Sequence, residues 1–441
     1  MKIIVTNKIS KRRLLILLGV VIYKLLVDLG YVELMTPIFG YMALETNINI
    51  AKSFVGFFVV VILAAFIRWE ENRFSDQALQ ILFIVSIVPL STYYAMNDKS
   101  STFFLCCSFS FLLTTILTSY SIFPKQIKIK GMFNMPRLFA VIYVCIILFF
   151  GYIIIRQGVD FSYLNIFDSK NIYSARQNYN LHLGTGATYL FSWGTRIIIP
   201  LFAGYLFSKR KIFLGGVLVA VQFLVYFGNP HKELILGIVM MFAVVLFSRK
   251  MSPGKTFIFF GGFSIILALL LNGIAKSITL KIAALLSRLL YIPASLKFLH
   301  YEFFSSNQKL WFSEGRIGRL LGINYPYDTS VGIVIGRHFF SVDSNCNTGY
   351  LAYAYDDLGY WGIVLVSIGL FFILKIVDSF LGEKANIWVI AALLYPVIML
   401  NDSAFLSWLL TVGVIFLIVL LKLCKEQFNR NCEMRLKRIK N

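Results

Sequence analysis

Charged residues are scarce in this sequence. Only 14% of its 441 residues are Asp, Glu, Lys or Arg, whereas about a quarter of the residues of a soluble globular domain are charged. Hydrophobic residues make up 58%, and the mean hydropathy is +0.76. These values exclude a soluble globular protein and predict an integral membrane protein.

Motifs for metal binding, disulfide pairing and nucleotide binding are also lacking. The six cysteines follow no framework, and neither CxxC nor HExxH occurs, so nothing in the sequence supports a zinc site. The segment SPGKT at 252–256 ends like a phosphate-binding loop, but Arg249 stands where that motif requires its first glycine. The sequence contains no internal repeat. It therefore predicts neither a metal site nor a nucleotide site.

Hydrophobic segments long enough to cross a bilayer recur along the chain. A spanning helix needs about 20 mostly apolar residues. Twelve segments meet this requirement, centred near 21, 58, 86, 112, 147, 197, 220, 241, 265, 370, 395 and 413. Lys24 and Asp28, four residues apart in the first of them, are expected to neutralise each other. The pattern predicts an all-α polytopic membrane protein, with residues 1–441 in a single membrane domain.

The distribution of basic residues predicts the orientation. Cytoplasmic loops are enriched in Lys and Arg, and four basic runs fall on the same side as the N-terminus: 124–137, 208–211, 249–255 and 425–441. Both termini are therefore predicted to be cytoplasmic. The N-terminal basic cluster leads into the first hydrophobic segment without a cleavage site, so we expect that segment to remain as an anchor. Most of the net charge of +21 then reflects topology and requires no nucleic-acid partner.

Two long segments, 156–186 and 276–349, are predicted to be extracytoplasmic. The second contains eight Lys and Arg residues against four Asp and Glu. Its first half, 278–304, has the pattern of an amphipathic helix at the membrane surface, ended or kinked by Pro293. Its second half, 313–349, is rich in glycine and predicts a long folded loop, which is usually functional.

Some basic residues in these regions are suited to binding phosphate. Arginine presents a planar fork of donors that matches phosphate oxygens, and charged residues at membrane depth usually face a cavity or a partner. The candidates are Arg176, Arg196, Arg288 and Arg337. The alternative role is contact with lipid head groups, which we expect for Lys281 and Lys297. For Lys232, in an outer turn, both roles stay open.

Carboxylates and histidines are the usual general bases for a hydroxyl group. The candidates are His338, Glu302, Asp343, Asp357 and Asp402. His338 is the best placed, because Arg337 precedes it and two phenylalanines follow it. The other histidines are expected to be hydrogen-bonded structural side chains: His182, His231 and His300.

Four segments of the chain carry a resemblance to a known family. They are YSARQNYNLHLGTGATYLFSWGTRIIIP (173–200), GNPHKELIL (228–236), SRLLYIPASLKFLHYEFF (287–304) and IGRHFFSVDSNCNTGYLAYAYDDLGYWG (335–362). Together they resemble the Wzy-type polymerases of O-antigen and related repeat units. These enzymes share a membrane fold with O-antigen ligases and resemble GT-C glycosyltransferases.

Such polymerases and ligases are described by an Arg or His that is separated from a Gly by ten residues in outer loops. His338 and Gly349 fit this spacing, and Arg337 lies one residue too early. Arg176 departs from it by one residue, because the nearest glycine is Gly186. The role of Arg176 is therefore less secure than that of His338.

The resemblance implies glycosyl transfer at the outer face of a bacterial inner membrane. The growing glycan on undecaprenyl pyrophosphate would be moved as a block onto an incoming lipid-linked repeat unit, without a nucleotide sugar or a metal. Catalytic roles are implied for Arg176, Arg288, Arg337 and His338. Substrate-binding roles are implied for Arg196, Lys232, Glu302, Tyr325, Asp343, Asn347 and Gly349. The implied partners are lipid-linked glycans, membrane lipids, a chain-length regulator and a flippase.

Two other functions stay open. An O-antigen ligase would have the same fold and donor but would use lipid A core as acceptor; the flanks of the four segments favour the polymerase. A flippase for lipid-linked oligosaccharides is less favoured, because a transporter is expected to show internal repeats. It would also not need the long basic outer segment.

Overall fold

The computed structural model describes residues 11–69, 73–119, 135–164, 184–247, 251–382 and 385–423. These residues form helices and connections, and no strand occurs among them. We number the main helices α1 (Arg12–Met42), α2 (Ile50–Phe66), α3 (Phe74–Met96), α4 (Ser101–Ser119), α5 (Met135–Gln157), α6 (Thr185–Ser208), α7 (Ile212–Gly228), α8 (Glu233–Phe247), α9 (Pro253–Leu271), α10 (Lys276–Ser306), α11 (Arg316–Leu320), α12 (Val331–Phe340), α13 (Tyr350–Leu358), α14 (Tyr360–Leu381), α15 (Ile387–Met399), α16 (Phe405–Val412) and α17 (Val414–Leu423).

The chain is an all-helical polytopic membrane protein. Eight helices of the described residues are long and apolar enough to cross a membrane, or nine if the bent pair α16 and α17 counts as one span. Eleven of the twelve predicted centres fall within apolar helices, and the twelfth, 413, falls at the glycine between α16 and α17. Four of these helices are shorter, with 13 to 17 residues: α2, α7, α8 and α15. The number twelve therefore stays a prediction. α10 is one of the eight long helices and was not predicted as a span.

Prolines within the long helices are accommodated by π-helical turns. Such a turn comes just before Pro37, Pro89, Pro200 and Pro293, and in each case the residue preceding the proline donates its N–H to the carbonyl five residues earlier. Proline has no N–H and its ring collides with the carbonyl four residues before it. The wider turn gives the proline ring room without breaking the helix.

The C-terminal parts of α1, α3 and α9 lie at the same end of the bundle. Gly30 of α1 packs so closely against Ile265 of α9 that a Cβ on the glycine would lie 3.0 Å from the isoleucine side chain. Asn97, just after α3, donates a hydrogen bond of 2.6 Å to the hydroxyl of Tyr31. The three helices therefore bring these parts of the chain together.

Helix α10 packs against α9 with its first half and against α3 with its second half. It begins shortly after α9 ends, and near its other end Glu302 forms an ion pair of 2.7 Å with Lys99, which follows α3. Between these points α10 packs into the bundle, where Lys297 and His300 are completely buried. An amphipathic helix over the first half, ended or kinked by Pro293, was expected here. The first half of α10 does have one exposed face, and its position relative to the membrane stays a prediction. Pro293 does not end the helix, which continues through a π turn into a segment, 293–300, that is buried on all faces.

The charged pair in α1 is confirmed. Lys24 Nζ lies 2.5 Å from Asp28 Oδ1 and 3.0 Å from Thr92 Oγ1. The Thr92 hydroxyl in turn donates to Asp28 Oδ1. The three side chains thus neutralise and hydrogen-bond one another between α1 and α3, as charges at membrane depth require.

A glycine separates α16 from α17, and the two helices meet at an angle of 51°. Gly413 has a φ of +98°, and a Cβ at this position would lie 2.4 Å from the ring of Trp193. The Trp193 indole N–H donates a 2.7 Å hydrogen bond to the carbonyl of Leu410. Both the left-handed backbone and the packing therefore require glycine at this bend.

Substituting Gly413→Ala is expected to destabilise the protein by about 1–3 kcal/mol from backbone strain alone, with a further cost from the contact with Trp193. The measurement is thermal unfolding of the purified protein in detergent. Gly216→Ala in α7 is the matched control, because a Cβ there meets nothing within 4 Å. Equal melting temperatures for the two variants would contradict the assignment of strain to Gly413.

Candidate functional site

A cavity of about 620 Å³ lies between the α10–α12 connection, α13, α14 and the α15–α16 connection. Part of its wall is apolar and includes Leu365, Val366, Leu406 and Leu410. Leu365 and Leu410 are also exposed on the outside of the bundle. Another part of its wall carries the carboxylates of Glu314, Asp357 and Asp402. The cavity thus brings an apolar surface and a set of acids together.

A strained turn forms the wall of the cavity near Asp357. Trp311 and Phe312 both have left-handed backbone conformations, with φ of +52° and +63°. The turn is held by α13, since the N–H groups of Leu310 and Trp311 donate to the carbonyls of Asp356 and Asp357. The N–H of Phe312 donates to the Asp357 carboxylate at 3.0 Å. These bonds fix one oxygen of Asp357 at the cavity wall.

Desolvation raises the pKa of each of the three cavity carboxylates. Burial raises the pKa of Asp357 to about 7, opposed by the hydrogen bond from Phe312. Burial raises the pKa of Asp402 to about 6, and the positive charges of Lys297 and Arg288 oppose this increase. The pKa of Glu314 is also raised by burial, although the N–H of Val331 donates to it at 2.9 Å. Acids of this kind can exchange a proton near neutral pH.

A buried histidine–aspartate pair lies behind this wall. His300 Nδ1 is 2.6 Å from Asp356 Oδ2, its Nε2 is 2.9 Å from the carbonyl of Cys346, and both side chains are completely buried. Burial raises the pKa of Asp356, opposed by His300 and Lys309. Burial lowers the pKa of Lys309 to about 8, opposed by Asp356. His300 is thus a hydrogen-bonded structural histidine, as expected, and it ties α10 to α13.

Two residues predicted to bind substrate lie at the cavity or directly behind it. Asn347 lines the cavity, and its side-chain oxygen accepts a 3.0 Å hydrogen bond from the hydroxyl of Tyr353. Gly349 is buried behind it, where a Cβ would lie 2.4 Å from the carbonyl oxygen of Asn401. Only glycine allows this approach. The structure therefore gives Gly349 a packing role next to Asp402.

The arginines predicted in α6 and α10 both lie in π-helical turns that precede prolines. Arg196 donates to Glu233 at 2.8 Å and to Ser192 at 2.6 Å, so its charge is already paired. Arg288 is exposed and makes no hydrogen bond to any residue that the structure describes, but its charge acts on Asp402. Lys232 is exposed in the turn that precedes Glu233.

The residues predicted to be catalytic in α12 lie away from the cavity. Arg337 is exposed and paired with Asp328 at 2.9 Å and with Asp343 at 2.6 Å. His338 is exposed, and its ring packs edge-on against Phe303 with centroids 5.1 Å apart. None of these side chains lines the cavity. The catalytic roles predicted for Arg337 and His338 remain predictions, and the structure does not bring them next to Arg288.

The remaining predicted residues are spread over the same end of the bundle. Glu302 is paired with Lys99. The hydroxyl of Tyr325 donates to the carbonyl of Thr329 at 2.6 Å. Arg176 and His182 lie outside the described residues. No group of three or more His, Cys, Asp or Glu side chains in the described part of the chain could hold a metal ion.

Sequence reasoning missed several residues of this region. Glu314 and Arg319 line the cavity, but no sequence pattern distinguishes them from the other charged residues of the long loop. The expectation that Lys297 reaches lipid head groups is wrong, because its side chain is completely buried and bonded to Asn401. A signal was present in the four apolar residues around it, Leu296, Phe298, Leu299 and Ile292.

Replacing His300 by Ala should leave the buried carboxyl group of Asp356 without its hydrogen-bond partner, which costs about 1–3 kcal/mol for a buried polar group. We expect a large fall in the thermal unfolding temperature of the purified protein. His338→Ala is the control, because that side chain is exposed and should change the temperature little. A small effect of His300→Ala would show that water or another group replaces the histidine.

Comparison of the chain with protein-family models, with curated proteins and with solved structures finds no match in any of the three. The resemblance of the four segments to Wzy-type polymerases therefore stays a prediction.

Proposed function

We propose that the protein is a membrane glycosyltransferase that polymerises oligosaccharide repeat units carried on undecaprenyl pyrophosphate. The observation that carries this proposal is the cavity that combines an apolar wall with Glu314, Asp357 and Asp402. A lipid-linked sugar has the same two-part chemistry, an apolar chain and a polar head. The resemblance of the four sequence segments supports the same activity.

The cavity offers general bases for the transfer. The acceptor sugar hydroxyl would lose its proton to Asp402 or Asp357 as its oxygen attacks the anomeric carbon of the donor. The bond between that carbon and the phosphate oxygen breaks, and the pyrophosphate leaves with the electron pair. Acids with a pKa of about 6 and about 7 are largely or partly ionised at neutral pH, so they can accept this proton.

Arginines near the cavity are suited to the leaving group. Arg319 lines the cavity, and Arg288 is exposed with its charge acting on Asp402. Neither forms an ion pair with a described residue. Such guanidinium groups can bind the pyrophosphate and stabilise the charge that develops on it. Arg196 and Arg337 are less available, because carboxylates already bind them.

The proposed reaction has a defined location and defined partners. The reaction would take place at the outer face of a bacterial inner membrane, with the donor and acceptor entering from the bilayer. A flippase would supply the lipid-linked units, and a chain-length regulator would act on the product. This assignment follows from the distribution of basic residues and from the resemblance.

A gel of surface polysaccharide from a strain that lacks this protein tests the reaction. Loss of the ladder of long chains, with a single repeat unit still attached to lipid, is the result expected for a polymerase. Loss of all attached glycan would instead indicate a ligase or a flippase. An unchanged ladder would refute the proposal.

Substituting Asp402→Asn or Asp357→Asn in the complemented strain should identify the base. The variant that removes the base is expected to reduce long-chain glycan by about a hundredfold or more, because a general base contributes about 10²–10⁴ in rate. Asp328→Asn is the control, since this exposed carboxylate lies away from the cavity. Protein levels in the membrane should be equal. Full activity of both cavity variants would exclude these residues as bases.

Arg288→Ala is expected to reduce long-chain glycan by about a hundredfold through loss of leaving-group stabilisation, in the range found for donors of this kind. Lys281→Ala, on the same helix and also exposed, should leave the ladder unchanged. The measurement is the same gel, normalised to membrane protein. Equal ladders for the two variants would show that Arg288 only contacts lipid.

A further inference from the structure

Lys297 is a buried lysine whose hydrogen bonds go only to uncharged oxygens among the described residues. Its Nζ lies 2.7 Å from Asn401 Oδ1, 3.1 Å from the carbonyl of Pro293 and 3.5 Å from the carbonyl of Asn401. The side chain is completely buried. A charge held in this way is costly. Packing alone therefore does not explain why a lysine occupies this position.

Asn401 joins Lys297 to the connection between α15 and α16. Its side-chain nitrogen donates to the carbonyl of Val85 at 3.1 Å, and its backbone carbonyl packs against Gly349. The preceding carbonyl, of Leu400, accepts a 3.1 Å hydrogen bond from the N–H of Tyr350. Asn401 is thus held by α3, α10 and the start of α13.

Asp402 comes directly after this fixed residue and lines the cavity. Three charged groups act on its carboxylate: Lys297 and Arg288 favour the ionised form, and Glu233 opposes it. Lys297 has the largest favourable effect of the three. It is also the only one of the three that is completely buried, whereas Asp402 is exposed at the cavity.

We propose that Lys297 is a positioning residue for Asp402: its ammonium group fixes the Asn401–Asp402 turn and keeps the Asp402 carboxylate ionised in the cavity. The catalytic meaning of this inference rests on the proposed function, in which Asp402 is a candidate base. The coupling between the two residues can be measured without any activity. A lysine that only fastened Asn401 would affect stability alone.

The test is an infrared pH titration of carboxyl groups in the purified, detergent-solubilised protein. The signal absent from Asp402→Asn identifies Asp402. In Lys297→Gln the side chain can still bond to Asn401 but has no charge, so the midpoint of Asp402 is expected to rise by about one pH unit or more, a tenfold change in proton affinity. Lys297→Arg should restore the midpoint, and Lys281→Gln, on the exposed face of α10, should not move it.

An unchanged midpoint in Lys297→Gln would overturn the proposal. If that variant does not fold, the double variant Lys297→Gln with Asp402→Asn decides the question. Coupling predicts that removing the lone carboxylate restores folding, whereas a purely structural lysine predicts no rescue. The proposed function is tested separately. A normal glycan ladder in Asp402→Asn would refute the role of Asp402 as base. A shifted midpoint in Lys297→Gln would still support the coupling between Lys297 and Asp402.

Discussion

The hydrogen bonds between the Lys297 ammonium group and Asn401 hold the cavity region together. They connect α10 with the α15–α16 connection, and Asn401 extends the link to α3 through Val85. Gly349 packs against the same asparagine and starts α13. Without hydrogen-bond partners a charge at this depth would be very costly. The position of Asp402 and the start of α13 therefore depend on one fully bonded ammonium group.

Proline has a consistent structural effect in this membrane protein. In a soluble protein, water can bond to a carbonyl that has lost its partner, but in hydrocarbon each backbone group needs a partner within the protein. The π turns before Pro200 and Pro293 meet this need with bonds from the preceding residue. The same turns contain Arg196 and Arg288. Irregular helix geometry and charged side chains thus occur together in these two turns.

The charges at this end of the bundle fall into two groups. Arg196, Arg337 and Lys99 are each paired with a carboxylate, so their fields are largely cancelled at short range. Arg288 and Arg319 form no ion pair with a described residue. In the proposed reaction these two arginines would be the partners of the anionic leaving group. Whether each charge is paired is therefore more informative about anion binding than the net charge of the long outer segment.

The sequence by itself determined the class of the protein, the place of most of the apolar helices and the pairing of Lys24 with Asp28. Apolar runs and a spacing of four residues are local patterns, so they need no knowledge of neighbouring helices. It also marked Asp357, Asp402, Asn347 and Gly349 as residues of interest. Only the tertiary structure decided which charges meet. It separated Arg337 and His338 from the cavity, buried Lys297 against Asn401 and brought Glu314 to the cavity from a distant part of the chain. The sequence around a charged residue does not show whether its side chain contacts lipid, forms an ion pair or lines a cavity. Its burial and its partners depend on helices that are far away along the chain.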